Sequence, residues 1–235
     1  MNRAARAASA RTAAQREHAV VHRVAALLLE YPSVELIDLL PQLRAASHEL
    51  SPRLRDPLLE VVDHLGSRPL PELEAEYVAT FDLKRRCALY LTYYAYGDTR
   101  KRGVALVTFK QAYRAAGFEL AADELPDHLA VVLEFASTGG PETWVAGIRL
   151  LLEHRAGLEL LRLALVDSGS AYAGALVAVT STLPALQGED REAVARLAAE
   201  GPPGEDVGLE PFAPPSYMPD PNGSDTHAPL QGARR

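Results

Sequence analysis

The sequence predicts an all-α protein: one helical-bundle-like domain of seven or more helices over residues 17–200, with a basic flexible lead-in before it and a Pro/Gly-rich disordered tail after it. Three observations lead there. Apolar residues recur at i, i+3, i+4 and i+7 through most of the chain. Proline and glycine fall between these periodic segments more than within them. The one strand-like run, Leu89-Tyr90-Leu91-Thr92-Tyr93, has no evident pairing partner elsewhere in the chain.

Taken in order, Met1–Arg16 carries four arginines and no acid, and reads as a frayed basic segment. Glu17–Tyr31 places Val20, Val21, Val24, Leu27, Leu28 and Tyr31 at helical spacing, ending before Pro32. Ser33 is a suitable N-cap for a second helix over Val34, Ile37, Leu40 and Leu43, with Pro41 a kink or break. A third helix spans Pro52–Leu65 and stops at Gly66 in a left-handed cap. Pro71 opens a fourth, lined by Leu73, Tyr77, Val78 and Phe81. Asp82–Gly97, the most aromatic stretch, is read as helix. Asp98 or Thr99 caps the next helix, whose stripe is Leu106, Phe109, Tyr113 and Ala116, and Gly117 ends it. Ser137–Pro141 is a turn, and leucine-rich helices follow at Glu142–Arg155 and Gly157–Leu165. The small apolar run Ala171–Leu183 suits close helix packing, and Glu189–Glu200 is a last amphipathic helix. From Gly201 onward, eight prolines and five glycines among 35 residues cannot support a packed element. Within that tail, Leu209, Phe212, Tyr217 and Met218 exceed what a linker needs.

Composition removes several function classes. A single cysteine, Cys87, excludes an internal disulfide and a cysteine-based zinc cluster, and a buried free thiol is expected. A net charge of −7 opposes a nucleic-acid surface, although Lys84-Arg85-Arg86 and Arg100-Lys101-Arg102 are local basic clusters. No run is apolar and long enough to span a bilayer, and the N-terminus lacks the apolar block of a secretory signal, so a cytoplasmic protein is expected. Phosphate-binding glycine loops, a serine elbow and a zinc-type histidine pair around a glutamate are all missing. His18 and His22 are four residues apart with no third ligand marked, and are read as a solvated pair on a helix surface.

The chain is organised around Leu125-Pro126-Asp127-His128-Leu129, read as a helix start with Pro126 at the first helical position. Leu129, Val132, Leu133 and Ala136 form its core stripe, so Asp127 and His128 are expected to face outward. Adjacent helical residues point about 100° apart, which is poor geometry for a base and its orienter. Arg100, Lys101 and Arg102 sit where the helix dipole disfavours cations, so contacts to an acidic partner are expected there. The residues alone leave three readings open: a binding protein, a small metal-dependent enzyme using Asp127 and His128 with His22, and a nucleic-acid regulator using Arg100–Arg102.

Tyr77-Val78-Ala79-Thr80-Phe81-Asp82, Leu89-Tyr90-Leu91-Thr92-Tyr93-Tyr94 and Gly97-Asp98-Thr99-Arg100-Lys101-Arg102-Gly103 together resemble the respiratory nitrate reductase assembly chaperones of the NarJ type. Pro126-Asp127-His128-Leu129 with Glu134-Phe135 resembles the signature of the wider TorD/DmsD group of redox-enzyme maturation chaperones. The resemblance runs from about Leu27 to Leu183 and leaves out both termini. It implies a TorD-like helical chaperone in the cytoplasm, without enzymatic activity and without a cofactor or metal of its own. Its partner would be the N-terminal segment of the nitrate reductase catalytic subunit, held until the molybdenum cofactor is inserted. Asp127 and His128 would then contribute to the leader-peptide site together with Glu134. Tyr77 and Phe81 would form its apolar wall, and Tyr90 and Tyr93 would add aromatic contact area.

Overall fold

The structure, a computed structural model, describes residues 3–121 and 124–200, so the expected tail falls outside the described residues. Among them are eleven α-helices: α1 Arg3–Leu28, α2 Val34–His48, α3 Pro52–Gly66, α4 Leu70–Tyr77, α5 Leu91–Tyr96, α6 Arg100–Ala115, α7 Leu129–Ser137, α8 Pro141–Glu153, α9 Arg155–Asp167, α10 Ala173–Ser181 and α11 Gly188–Glu200. A π-helical turn, Val78–Asp82, extends α4, and a 3-10 turn, Arg85–Cys87, precedes α5.

The core is built where helices have more than one apolar face. In α7, Leu129, Ala130, Val132, Leu133, Phe135 and Ala136 are all buried, and α10 is buried through Ala175, Leu176, Ala178 and Val179. α1 supplies Val21, Val24, Ala25 and Leu28 to the same core. α11, by contrast, has no buried residue.

Small residues set how closely the layers approach. A Cβ on Gly174 of α10 would lie 2.1 Å from the carbonyl oxygen of Pro57 in α3. One on Gly147 of α8 would lie 2.5 Å from the Ala136 Cβ in α7. Backbone cannot swing aside as a flexible side chain can, so Gly174→Ala must push α10 off α3. We expect a loss of about 2–3 kcal/mol, read as a lower urea midpoint at unchanged m-value. A midpoint within error of the parent would mean that the two helices do not pack this closely.

Several expectations are corrected. The first helix starts at Arg3, not Glu17, because the alanine-rich lead-in has high helix propensity. Pro41 does not end α2. The helix runs on, with Leu36, Leu40 and Leu43 buried on both sides of the proline. Gly66 is not a left-handed cap: the helix closes through Ser67, whose hydroxyl donates to the His64 carbonyl at 2.9 Å. Asp82–Gly97 is not one helix but the end of the π turn, the 3-10 turn, an extended Tyr90 and the short α5. The strand-like character at Tyr90 is real, since it forms an isolated antiparallel bridge with His128. Ser33 does cap α2, accepting from the Leu36 N–H at 3.2 Å. Gly117 ends α6 with φ +78° and Gly139 turns the chain with φ +90°, both as the sequence implies.

Candidate functional site at the junction of α5 and α7

The expected helix start at Pro126 is displaced: α7 begins at Leu129, with His128 as its N-cap residue. Pro126 and Asp127 form the turn before it, and Asp127 is 0% exposed. The acid therefore does not face outward. The reason lies 35 residues earlier in the chain. The Leu91 N–H donates to the Asp127 main-chain carbonyl at 3.0 Å, and the Thr92 N–H donates to its carboxylate at 3.2 Å. The Thr92 hydroxyl donates to the same carboxylate oxygen. Tyr90, at the N-cap of α5, has no side-chain capping bond, so Asp127 caps this helix from another segment. In return, the Leu129 N–H donates to the Leu89 carbonyl at 2.7 Å. The starts of α5 and α7 are stitched to each other.

Arg102 closes the cluster from α6. Its Nη2 lies 3.7 Å from the Asp127 carboxylate, its Nε donates to the Thr92 hydroxyl oxygen at 3.2 Å, and its Nη1 reaches Asp98 at 3.3 Å. Its guanidinium stands over the Tyr90 ring, 5.2 Å from the centroid. Arg102 thus has internal partners, which corrects the expectation that it awaits an acidic one. Arg100 and Lys101 are exposed, as expected. The His128 ring meets Tyr90 edge-on at 5.4 Å. Burial pushes the His128 imidazole below its ordinary pKa, against the opposing pull of Asp127, so near neutrality it is an uncharged donor and acceptor. The Tyr113 hydroxyl donates to the Pro126 carbonyl at 2.6 Å and fixes the turn from below.

The other expected site residues fall into neighbouring groups. Tyr77 and Phe81 are buried with ring centroids 4.7 Å apart, and both meet Tyr172. The Tyr77 hydroxyl donates to the Leu29 carbonyl at 2.9 Å, and its ring is covered by Tyr31, which is half exposed. Burial, and secondarily the Glu30 carboxylate, raise the hydroxyl's pKa above its ordinary value. Tyr93 packs its ring on Tyr94 at 5.9 Å and is partly exposed. Glu134 is exposed on α7 and ion-pairs with Arg23 of α1. Burial, with Glu124 and Glu134 nearby, raises the Glu30 carboxyl above its usual range. No local pattern marks Thr92, Tyr31, Tyr172 or Glu30 as members of this region, because each joins through contacts distant in the chain.

The histidine pair on α1 also resolves differently. His22 is fully buried and bonds the Thr182 hydroxyl at 2.9 Å, far from the surface expected for it. Among the described residues no group of three or more His, Cys, Asp or Glu is placed to hold a metal ion. No described helix is long and apolar enough to cross a membrane. Cys87 is buried, as expected.

In class, this is an all-helical fold like that of an Archaeoglobus fulgidus protein assigned to redox enzyme maturation. The two superpose with a TM-score of 0.51 over 71% of this chain and 92% of the other, at 22% identity. The chain belongs to the nitrate reductase delta subunit family, whose model matches residues 45–178. It is 38% identical over 163 residues to the nitrate reductase-like protein NarX of Mycobacterium tuberculosis, covering 69% of this chain and 24% of that protein. It is also 37% identical over 111 residues to a probable nitrate reductase molybdenum cofactor assembly chaperone, NarJ, of Bacillus subtilis, covering 47% of this chain and 60% of that one. The match therefore spans less than two thirds of the length of these relatives.

Proposed function

We propose that this protein is an assembly chaperone for nitrate reductase, without catalytic activity. It binds the N-terminal segment of the catalytic subunit in the cytoplasm and holds that subunit until its molybdenum cofactor is in place. Family membership and the named NarJ relative support the client. The observation that carries the site is the stitched junction of α5 and α7, which sets Tyr90 and His128 side by side at a half-buried surface. In this reading the accessible Tyr93 and Glu134 add leader contacts, and the buried Tyr77 and Phe81 serve the fold of the site. A leader that folds into a helix on binding would place apolar side chains against the aromatic rings, while His128 and Glu134 orient its polar ones. Asp127 acts here as a positioning residue: one carboxylate oxygen takes both Thr92 bonds and faces Arg102, while the other is buried without a hydrogen-bond partner.

The test is calorimetry with a peptide of about 30 residues from the start of the catalytic subunit of the same organism. We expect one-to-one binding, weakened about tenfold or more by Tyr90→Ala together with His128→Ala, with unchanged helical circular dichroism. No binding by a folded protein would refute the chaperone reading. Binding that ignores both substitutions would move the site elsewhere.

A further inference from the structure

Beyond the Tyr90–His128 pair, α7 runs along a cavity of about 240 Å³. Val131 and Phe135 stand one and two turns after His128 and line it, together with Phe118 and Leu120 from the chain after α6. Phe135 is buried and the other three are half-buried, so the lining is apolar at depth. The acids Glu119, Glu124 and Glu134 are exposed at the rim, and no cationic side chain lines the cavity. Glu119 also borders a neighbouring hollow with Lys110 and Arg114, so Glu124 and Glu134 set the charge here.

A guanidinium reaches this rim from α1. Arg23 pairs with Glu134, and both side chains stay about half exposed, at 46% and 56%. Glu30, just past the end of α1, belongs to the same group. Burial, then Glu124 and Glu134, raise its carboxyl above the usual range, and Arg23 opposes them. Glu30, Glu124 and Glu134 outnumber the guanidinium set among them. An exposed pair of this kind is weak in water and readily exchanged. Arg23 therefore displays the chemistry that the rim accepts, and holds it loosely. A metal ion does not fit, since no group of three or more His, Cys, Asp or Glu among the described residues is placed to hold one. A purely apolar side chain gains nothing from the carboxylates. A long aliphatic stem ending in a cation satisfies both the apolar depth and the anionic rim.

We propose that this cavity is the subsite for a lysine or arginine side chain of the leader, and that Arg23 holds its place on Glu134 until the leader arrives. A leader helix laid along α7 from His128 reaches Glu134 after about 9 Å of helical rise. Its cation takes over the carboxylate, its stem covers Val131 and Phe135, and Arg23 turns out to solvent. The proposal rests on the chaperone reading for the identity of the ligand. It adds a charge requirement that contact with Tyr90 and His128 alone does not impose.

Calorimetry on the full chain compares the leader peptide with versions in which each lysine or arginine is replaced singly by methionine, which keeps a stem and drops the charge. Glu124→Gln with Glu134→Gln is expected to weaken the parent peptide about tenfold, and one methionine peptide should lose a similar factor. That peptide should lose nothing further against the glutamine variant, because both changes remove the same contact. Arg23→Met should act in the opposite sense and tighten binding about threefold. All of these side chains are exposed in part, so helical content should match the parent. A glutamine variant that binds as well as the parent overturns the subsite while the chaperone reading stands, as does a full set of methionine peptides that bind unchanged. Arg23→Met binding no tighter than the parent overturns the placeholder. A parent dimer in sedimentation that the glutamine variant splits, at unchanged peptide affinity, would give the cavity to a cation of a second copy instead. No peptide binding by the folded parent refutes the chaperone reading, and the subsite with it.

Discussion

Asp127→Ala is expected to destabilise the fold by about 3 kcal/mol, a larger effect than loss of any surface contact to a ligand. The carboxylate is fully buried and accepts both the N–H and the hydroxyl of Thr92 while facing Arg102. Removing it leaves a buried amide and hydroxyl without their acceptor, each costing about 1–3 kcal/mol, and strips Arg102 of its internal carboxylate. Arg102 keeps Asp98 and some solvent contact, which limits the total. Asp127→Asn should lose less, because an amide oxygen can still accept from Thr92. A double-mutant cycle of Asp127→Ala with Thr92→Val should return a coupling of about 1 kcal/mol or more, since the two groups share the same bonds. Urea unfolding measures both quantities. If Asp127→Ala kept its stability within about 0.5 kcal/mol while losing peptide affinity, the carboxylate would be a ligand contact and the capping role would be wrong.

Acid should destabilise the protein steeply, and His22→Leu should remove much of that sensitivity. The Thr182 hydroxyl donates to the Val179 carbonyl at 2.7 Å, so it can only accept from His22, which places the proton on Nε2. His22 Nδ1 is buried without a partner. Protonation would create a second N–H with no acceptor, and burial lowers the pKa from 6.5 to about 3. The unfolded chain protonates this ring below pH 6.5 while the folded one resists until about pH 3, so stability falls as pH drops through that window. Each pH unit of that window costs about 1.4 kcal/mol, so the loss from His22 alone is on the order of 4 kcal/mol at its acid end. His18, His128 and His154 are also lowered by burial and act in the same direction. Glu30, raised by burial and by its acidic neighbours, works weakly against them. Urea midpoints at pH 7 and pH 4.5 should therefore separate for the parent and draw together for His22→Leu. Parallel curves for the two proteins would show that His22 is not the sensitive group.

Local sequence decided which face of most helices is apolar and where several of them begin and end. Ser33 before Val34, and Gly117 and Gly139 at positive φ, act through bonds and sterics within a turn of their own position. The inward run of Phe109 and Tyr113 on α6 follows equally from spacing along one helix. The all-helical class was therefore legible, and the motifs that resemble the family lay in the matched region.

Tertiary structure alone decided the site. Pro126 and Asp127 form an ordinary helix-start pattern, and only Thr92, 35 residues away, turns the acid inward to cap a different helix. Tyr90 reads as strand or helix until His128 arrives to pair with it. His22 and Arg102 look like solvated surface by periodicity, yet one is buried against Thr182 and the other held by Asp127. Periodicity reports each residue's relation to its neighbours three and four positions away. Whether a polar group on the edge of a helix is solvated depends on which other segment supplies its partner, and that partner is set by packing.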